Sequence, residues 1–142
     1  MEAKTNWLAI AASVVVGMLM GFLWYGMLFQ NQWMAGNGFT MEGDKMFKNG
    51  AEIPMSATPM IVNTIVMLVY ALIMNWLLNK MSISTWQSGA MVGGGIGLLM
   101  AFGILTGNMF AQNPMSLTMV DGSYSLVLFA LMGAIIGGWR KK

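Results

Sequence analysis

WQSGAMVGGGIGLLMAFGILTGNMFA, residues 86 to 111, holds no acidic, basic or histidine side chain and is followed at once by Gln112, Asn113 and Pro114. A helix rises about 1.5 Å per residue, and a hydrocarbon core of about 30 Å needs roughly 20 apolar residues. These 26 residues are enough. The stretch is one of four: Lys4 to Glu42, Glu52 to Lys80, Lys80 to Asp121 and Asp121 to Arg140 contain no Asp, Glu, Lys, Arg or His between their ends. Each window carries a run long enough to span a bilayer. The reading is an all-α membrane protein, one domain over 1–142, with four transmembrane helices in an antiparallel bundle.

Composition points the same way. With 57% apolar and 8% charged residues and a mean hydropathy of +0.66, the chain is too hydrophobic for an ordinary soluble domain. The pI of about 9.1 rests on a net charge of only +2, and the basic residues stand at the window margins. They set topology, and no nucleic-acid partner is expected. The absence of cysteine removes disulfides, thiolate chemistry and iron–sulfur clusters, and the absence of histidine removes the usual haem and zinc ligand and a near-neutral general base. The 18 methionines lie mostly singly within the runs, where flexible apolar fillers are expected rather than a copper site. No metal, cofactor or catalytic set is expected. An ionisable residue inside the bilayer is the usual mark of a proton relay, ion path or catalytic centre, and the windows contain none. No nucleophile and base can be assembled, which argues against an enzyme.

The four spans are expected at about 7–29, 59–79, 86–111 and 122–139, with an outer loop at 30–58. The first run is longer than a signal-peptide core and lacks a small-residue cleavage site, so it is expected to remain as a span. Thr58 is expected to cap the second helix, with Pro59 in its first turn, and Asp121 to cap the fourth. Lys4, Lys80, Arg140, Lys141 and Lys142 fall on one face of the membrane, and Lys45 and Lys48 on the other. The positive-inside rule then places both termini in the cytoplasm of a plasma, bacterial inner, membrane. Trp7, Trp76, Trp86 and Trp139 lie at the cytoplasmic ends of the helices, and Trp24, Tyr25, Trp33 and Tyr124 near the opposite interface. All are read as interface anchors. In the outer loop, Thr40 to Asn49 reads as a short interfacial helix, with Asp44 and Lys48 at i,i+4 and Gly50 as its stop. The ends of the first and third helices are weakly alike, as two fused hairpins would be.

Glycines recur four apart at Gly17 and Gly21, at Gly89, Gly93 and Gly97, at Gly103 and Gly107, and at Gly133 and Gly137. That spacing puts each set on one helix face, where backbones can approach closely, so helices one, three and four are expected to pack tightly. The third helix carries two such faces about 120° apart. One can serve the chain itself and the other a second copy or a different subunit. Asn63, Thr64, Tyr70 and Asn75 on the second helix, with Thr106 and Asn108 on the third, are polar groups that must face protein. They act as packing contacts or, alternatively, line a path for a small solute.

Asn6-Trp7-Leu8-Ala9, then Gly21-Phe22-Leu23-Trp24-Tyr25-Gly26-Met27-Leu28-Phe29 running on to Trp33-Met34, resemble the small bacterial membrane proteins grouped as domain of unknown function 1761. Met132-Gly133 through Gly137-Gly138-Trp139 is similar as well. Where the family pattern often has a proline within two residues of the Trp-Tyr pair, this chain has Met27. The resemblance implies four spanning helices and no established activity. The expected function is that of a non-catalytic integral membrane protein acting through helix packing, as a homo-oligomer or an accessory subunit of a larger complex. The alternative is a carrier or binding protein for an apolar or weakly polar small molecule.

Overall fold

The structure, a computed structural model, describes residues 4–140. Its helices are α1 (Trp7–Gly21), α2 (Gln30–Asn37), α3 (Thr58–Lys80), α4 (Trp86–Phe110) and α5 (Met115–Gly138). A π-helical segment, Phe22–Leu28, continues α1, and a small sheet of β1 (Phe39–Glu42), β2 (Lys45–Lys48) and β3 (Ala51–Ile53) lies between α2 and α3. Four segments are long and apolar enough to cross a membrane: Trp7–Leu28, Thr58–Lys80, Trp86–Phe110 and Met115–Gly138.

The helix ends follow from local chemistry. Asn6 caps α1, its Oδ1 accepting from the Ala9 N–H at 3.2 Å, and Thr85 caps α4 by accepting from the Ser88 N–H at 3.2 Å. α3 and α4 stop where Ser82 (φ 55°) and Gln112 (φ 57°) turn left-handed. In that conformation the N–H of Ile83 reaches the Leu78 carbonyl at 3.0 Å, and that of Asn113 reaches Asn108 at 2.9 Å, so carbonyls that would otherwise be left open are satisfied.

α5 is the centre of the bundle. Its buried residues run from Leu117 to Gly137 on several faces, whereas the buried residues of α4 are Gly89, Gly93 and Gly97 alone. A Cβ on Gly89 would overlap the Gly133 carbonyl oxygen, and one on Gly93 the Phe129 carbonyl oxygen. On Gly97 it would come within 2.6 Å of the Ser125 carbonyl oxygen. The two backbones touch because nothing stands between them. The other side of α5 meets α1 and α3 in a core of Ala9, Ile10, Met67, Ala71, Met74, Leu78, Leu128, Phe129, Met132 and Ile136. Ser13 is fully buried beside this core, and its hydroxyl has no hydrogen-bond partner.

One end of the bundle is tied by polar contacts. Asn6 donates from Nδ2 to the Trp139 carbonyl at 2.6 Å, joining the start of α1 to the end of α5. Arg140 donates from Nη1 to the carbonyls of Leu78 at 3.2 Å and Ile83 at 2.5 Å, placing a cation at the C-terminal end of α3, where the helix dipole is negative. Burial lowers this guanidinium from its ordinary value. We call this the termini end and the other the sheet end.

Three expectations are corrected. Residues 40–49 form no interfacial helix, because two tight turns favour strands. Asn49 (φ 50°) and Gly50 (φ 84°) make a two-residue turn with both centres left-handed, and Gly43 (φ 62°) opens a second two-residue turn. Such turns match strand twist, and they set the antiparallel registers Glu42↔Lys45 and Lys48↔Ala51. Asp121 caps nothing. Pro114, extended at ψ 146°, starts α5 directly and accepts from the Leu117 N–H at 3.0 Å, so Asp121 lies inside the helix. At α3 the N-cap is Ala57, Thr58 is already helical, and Ser56 Oγ accepts from the Thr58 N–H at 3.2 Å.

Two stability tests follow in detergent. Gly93→Ala should unfold more easily than the parent by about 1–3 kcal/mol, the usual cost of overpacking a tight contact, whereas Gly103→Ala, with nothing within 4 Å, should lose nothing. Equal melting of the two variants would contradict the α4–α5 contact. Ser13→Ala should melt no lower than the parent, since it removes an unpartnered hydroxyl and leaves no large cavity.

Candidate functional site

The π-helical segment is where the chain concentrates its chemistry. Its wider turn is seen in the Phe29 N–H, which bonds the Trp24 carbonyl five residues back at 2.9 Å. In a regular helix neighbouring side chains diverge by about 100°. Here the consecutive Trp24 and Tyr25 both reach α5. Trp24 donates from Nε1 to the Val120 carbonyl at 3.0 Å, and the Tyr25 hydroxyl donates to Asp121 Oδ1 at 2.8 Å.

The Asp121 carboxylate is therefore set among aromatic rings within a candidate span. It stands six positions after Met115, about 9 Å along the helix. The rings of Tyr25 and Tyr124 lie 4.9 Å apart at 63°, and Trp33 approaches Tyr25 edge-on at 5.9 Å. Trp33 stacks on Phe39 at 5.1 Å, and the Lys48 ammonium lies over the Phe39 ring at 5.1 Å from its centroid. This column joins the span to β1 and β2. Asp121, Tyr25, Tyr124, Trp33 and Phe39 are each half-buried. α2 closes the site from above: its Gly36 lies against Leu117 of α5, where a Cβ would come within 2.9 Å of the Leu117 Cβ.

Residues 8–137 match the family described as Protein of unknown function (DUF1761). The chain belongs to that family. No curated protein and no solved structure is similar enough to match.

The residues singled out in this DUF1761 sequence are distributed as follows. At the α4–α5 contact Gly89 and Gly93 meet Gly133, Gly89 also meets Gly137, and Gly97 meets Ser125 and Leu126. Gly17 lies against Met67, Leu128 and Met132, and Gly21 against the Tyr124 hydroxyl. Gly103 and Gly107 have no neighbour within 4 Å of a built Cβ. The polar residues are not brought to one surface. Asn63 and Thr64 direct donors at the Met18 sulfur, at 3.4 and 3.7 Å, Tyr70 packs on Phe129, and Asn75 is buried on α3. On the far side of α5, Thr106 bonds its own helix at the Phe102 carbonyl, and Asn108 donates to Thr118. Trp7, Trp76, Trp86 and Trp139 are exposed at the termini end, while Trp24, Tyr25 and Trp33 are half-buried in the site.

Asp121 is the residue that sequence reasoning misassigned. A usable signal exists in Leu117, Val120, Tyr124 and Leu128, which fall three and four apart and mark one helical face running straight through Asp121. Among the described residues no group of three His, Cys, Asp or Glu side chains is placed to hold a metal ion.

A hydrogen bond to an ionised acceptor is worth about 1.5–3 kcal/mol. Tyr25→Phe should therefore lower stability by that order and loosen the π-helical segment, with faster amide exchange at residues 22–28 than in α3. Unchanged melting and exchange would show that the Tyr25–Asp121 bond is not held in the membrane.

Proposed function

We propose that this chain is a non-catalytic, multi-pass plasma-membrane protein whose four spans form an antiparallel bundle with both termini in the cytoplasm. It works through helix packing, as a homo-oligomer or as an accessory subunit of a larger bacterial membrane complex. The observation that carries this reading is the division of labour on α4. One glycine face is consumed by α5, and Gly103 and Gly107 on the same helix meet nothing within 4 Å among the described residues. In lipid, helix association relies on close packing rather than on burial from water, so a face stripped of side chains favours a second helix over disordered acyl chains. Topology is supported by the gathering of Asn6, Lys80 and Arg140 at one end and of Lys45 and Lys48 at the other, with the larger positive charge on the side of the termini.

Native mass spectrometry of protein extracted with its lipids should report a multimer or a retained subunit. Gly107→Leu should abolish that assembly while leaving the melting of the single chain unchanged. A monodisperse monomer in both the parent and Gly107→Leu would overturn the reading. The small-molecule alternative gains support from a separate feature, the half-buried carboxylate of Asp121.

A further inference from the structure

Asp121 is an acid in a span with no basic partner among the described residues. Lys45 is paired with Glu52 at 3.6 Å, Lys48 lies over Phe39, and Arg140 is bonded to carbonyls at the opposite end. Tyr25 supplies the carboxylate with a donor on Oδ1, and the second oxygen receives none from the described residues. A carboxylate half-buried beside aromatic rings loses part of its hydration, and an ionisable side chain within a candidate span is a default mark of a binding site. The surroundings restrict what can bind there. A hard metal ion needs six or more oxygen ligands, and a single carboxylate among rings does not supply them. An organic cation needs little more than a carboxylate and aromatic faces, since the negative face of each ring attracts it within about 6 Å.

We propose that Asp121, with the rings of Tyr25 and Tyr124, forms a binding site for an organic ammonium group at the sheet end of the bundle. Trp24 and Trp33 place the carboxylate at the level where tryptophans sit among lipid headgroups, which is where ammonium groups are found. The same aromatic column already holds one ammonium: Lys48 rests on Phe39, Phe39 on Trp33, and Trp33 against Tyr25. The Tyr25 hydroxyl holds the carboxylate in one orientation and leaves its other oxygen for the incoming N–H or N-methyl group. The ammonium can be carried by a lipid headgroup or by a free amine, and both would be recognised by the same chemistry. This site is independent of the packing role proposed above, because none of its residues lies on α4.

Two arms test it on the full chain. In detergent, tryptophan fluorescence is titrated with tetramethylammonium chloride against potassium chloride at equal ionic strength. In nanodiscs of equal phosphatidylethanolamine and phosphatidylglycerol, native mass spectrometry reads which lipid is retained. The expected result is a saturable response to tetramethylammonium beyond that to potassium, or preferential retention of phosphatidylethanolamine, and the arm that responds identifies the source. Asp121→Asn, whose amide oxygen still accepts from Tyr25, should weaken either response about tenfold, as should Tyr124→Leu, which leaves the carboxylate in place. If both arms fail to distinguish ammonium from potassium and from phosphatidylglycerol, the proposal falls. It falls equally if either variant, folded by its melting curve, binds like the parent.

Discussion

The contact between α4 and α5 is made of backbone, and the positions of the other elements follow from it. Gly89, Gly93 and Gly97 match Gly133, Phe129 and Ser125 in turn, with rising numbers on one helix and falling numbers on the other. Between helices in lipid there is little gain from removing apolar surface, because acyl chains are as apolar as leucine. What holds the pair is dispersion between closely apposed backbones. The residues that α4 buries fully are glycines, with Val92 and Ile96 packed partly against the core, and α5 keeps its other faces for α1, α3 and α2. α5 is thus central, with α4 at backbone distance on one side and side-chain packing on the others.

That placement decides where chemistry can arise. The face of α5 that receives α1 carries Leu128 and Met132 opposite Gly17, then Tyr124 opposite Gly21, and higher still Asp121 and Val120 opposite Tyr25 and Trp24. Moving up this face, the contacts change from apolar to aromatic to polar. In the π-helical turn the consecutive Trp24 and Tyr25 both reach α5. Local backbone geometry and an in-span acid therefore coincide at the most sequence-specific part of the chain.

The spans are legible in the sequence because they are defined by what is missing, and a run without charges is hard to mistake. The glycine spacing shows which faces can approach, but a spacing of four is a property of one helix and carries no address. Only packing reveals that Gly93 meets Phe129 while Gly107 meets nothing among the described residues. The loop was read on the helical pairing of Asp44 with Lys48, a contact worth a few tenths of a kcal/mol. Asn49-Gly50 outweighs it, because two left-handed residues in succession cannot be accommodated in a helix and are well suited to a hairpin. Lys45 then faces Glu52 across the sheet rather than along a helix.

Asp121 was hidden for a different reason. Windows bounded by charged residues place every charge at an edge by construction, so an acid two turns inside a helix is indistinguishable from one that caps it. Pro114 hides the difference further, since it closes α4 and opens α5 within a few residues. Once Asp121 belongs to the helix, its neighbours change meaning. Tyr25 and Tyr124 become its ring neighbours, and the Tyr25 hydroxyl is the one donor to the carboxylate among the described residues. The two ends of the bundle then differ in kind. The termini end is fastened by Asn6 and Arg140 onto backbone carbonyls, with the Arg140 Nη2 buried and without a hydrogen-bond partner. At the sheet end a half-buried carboxylate accepts from Tyr25 at one oxygen and, among the described residues, receives no donor at the other, so the unmet polar demand there is of the opposite charge.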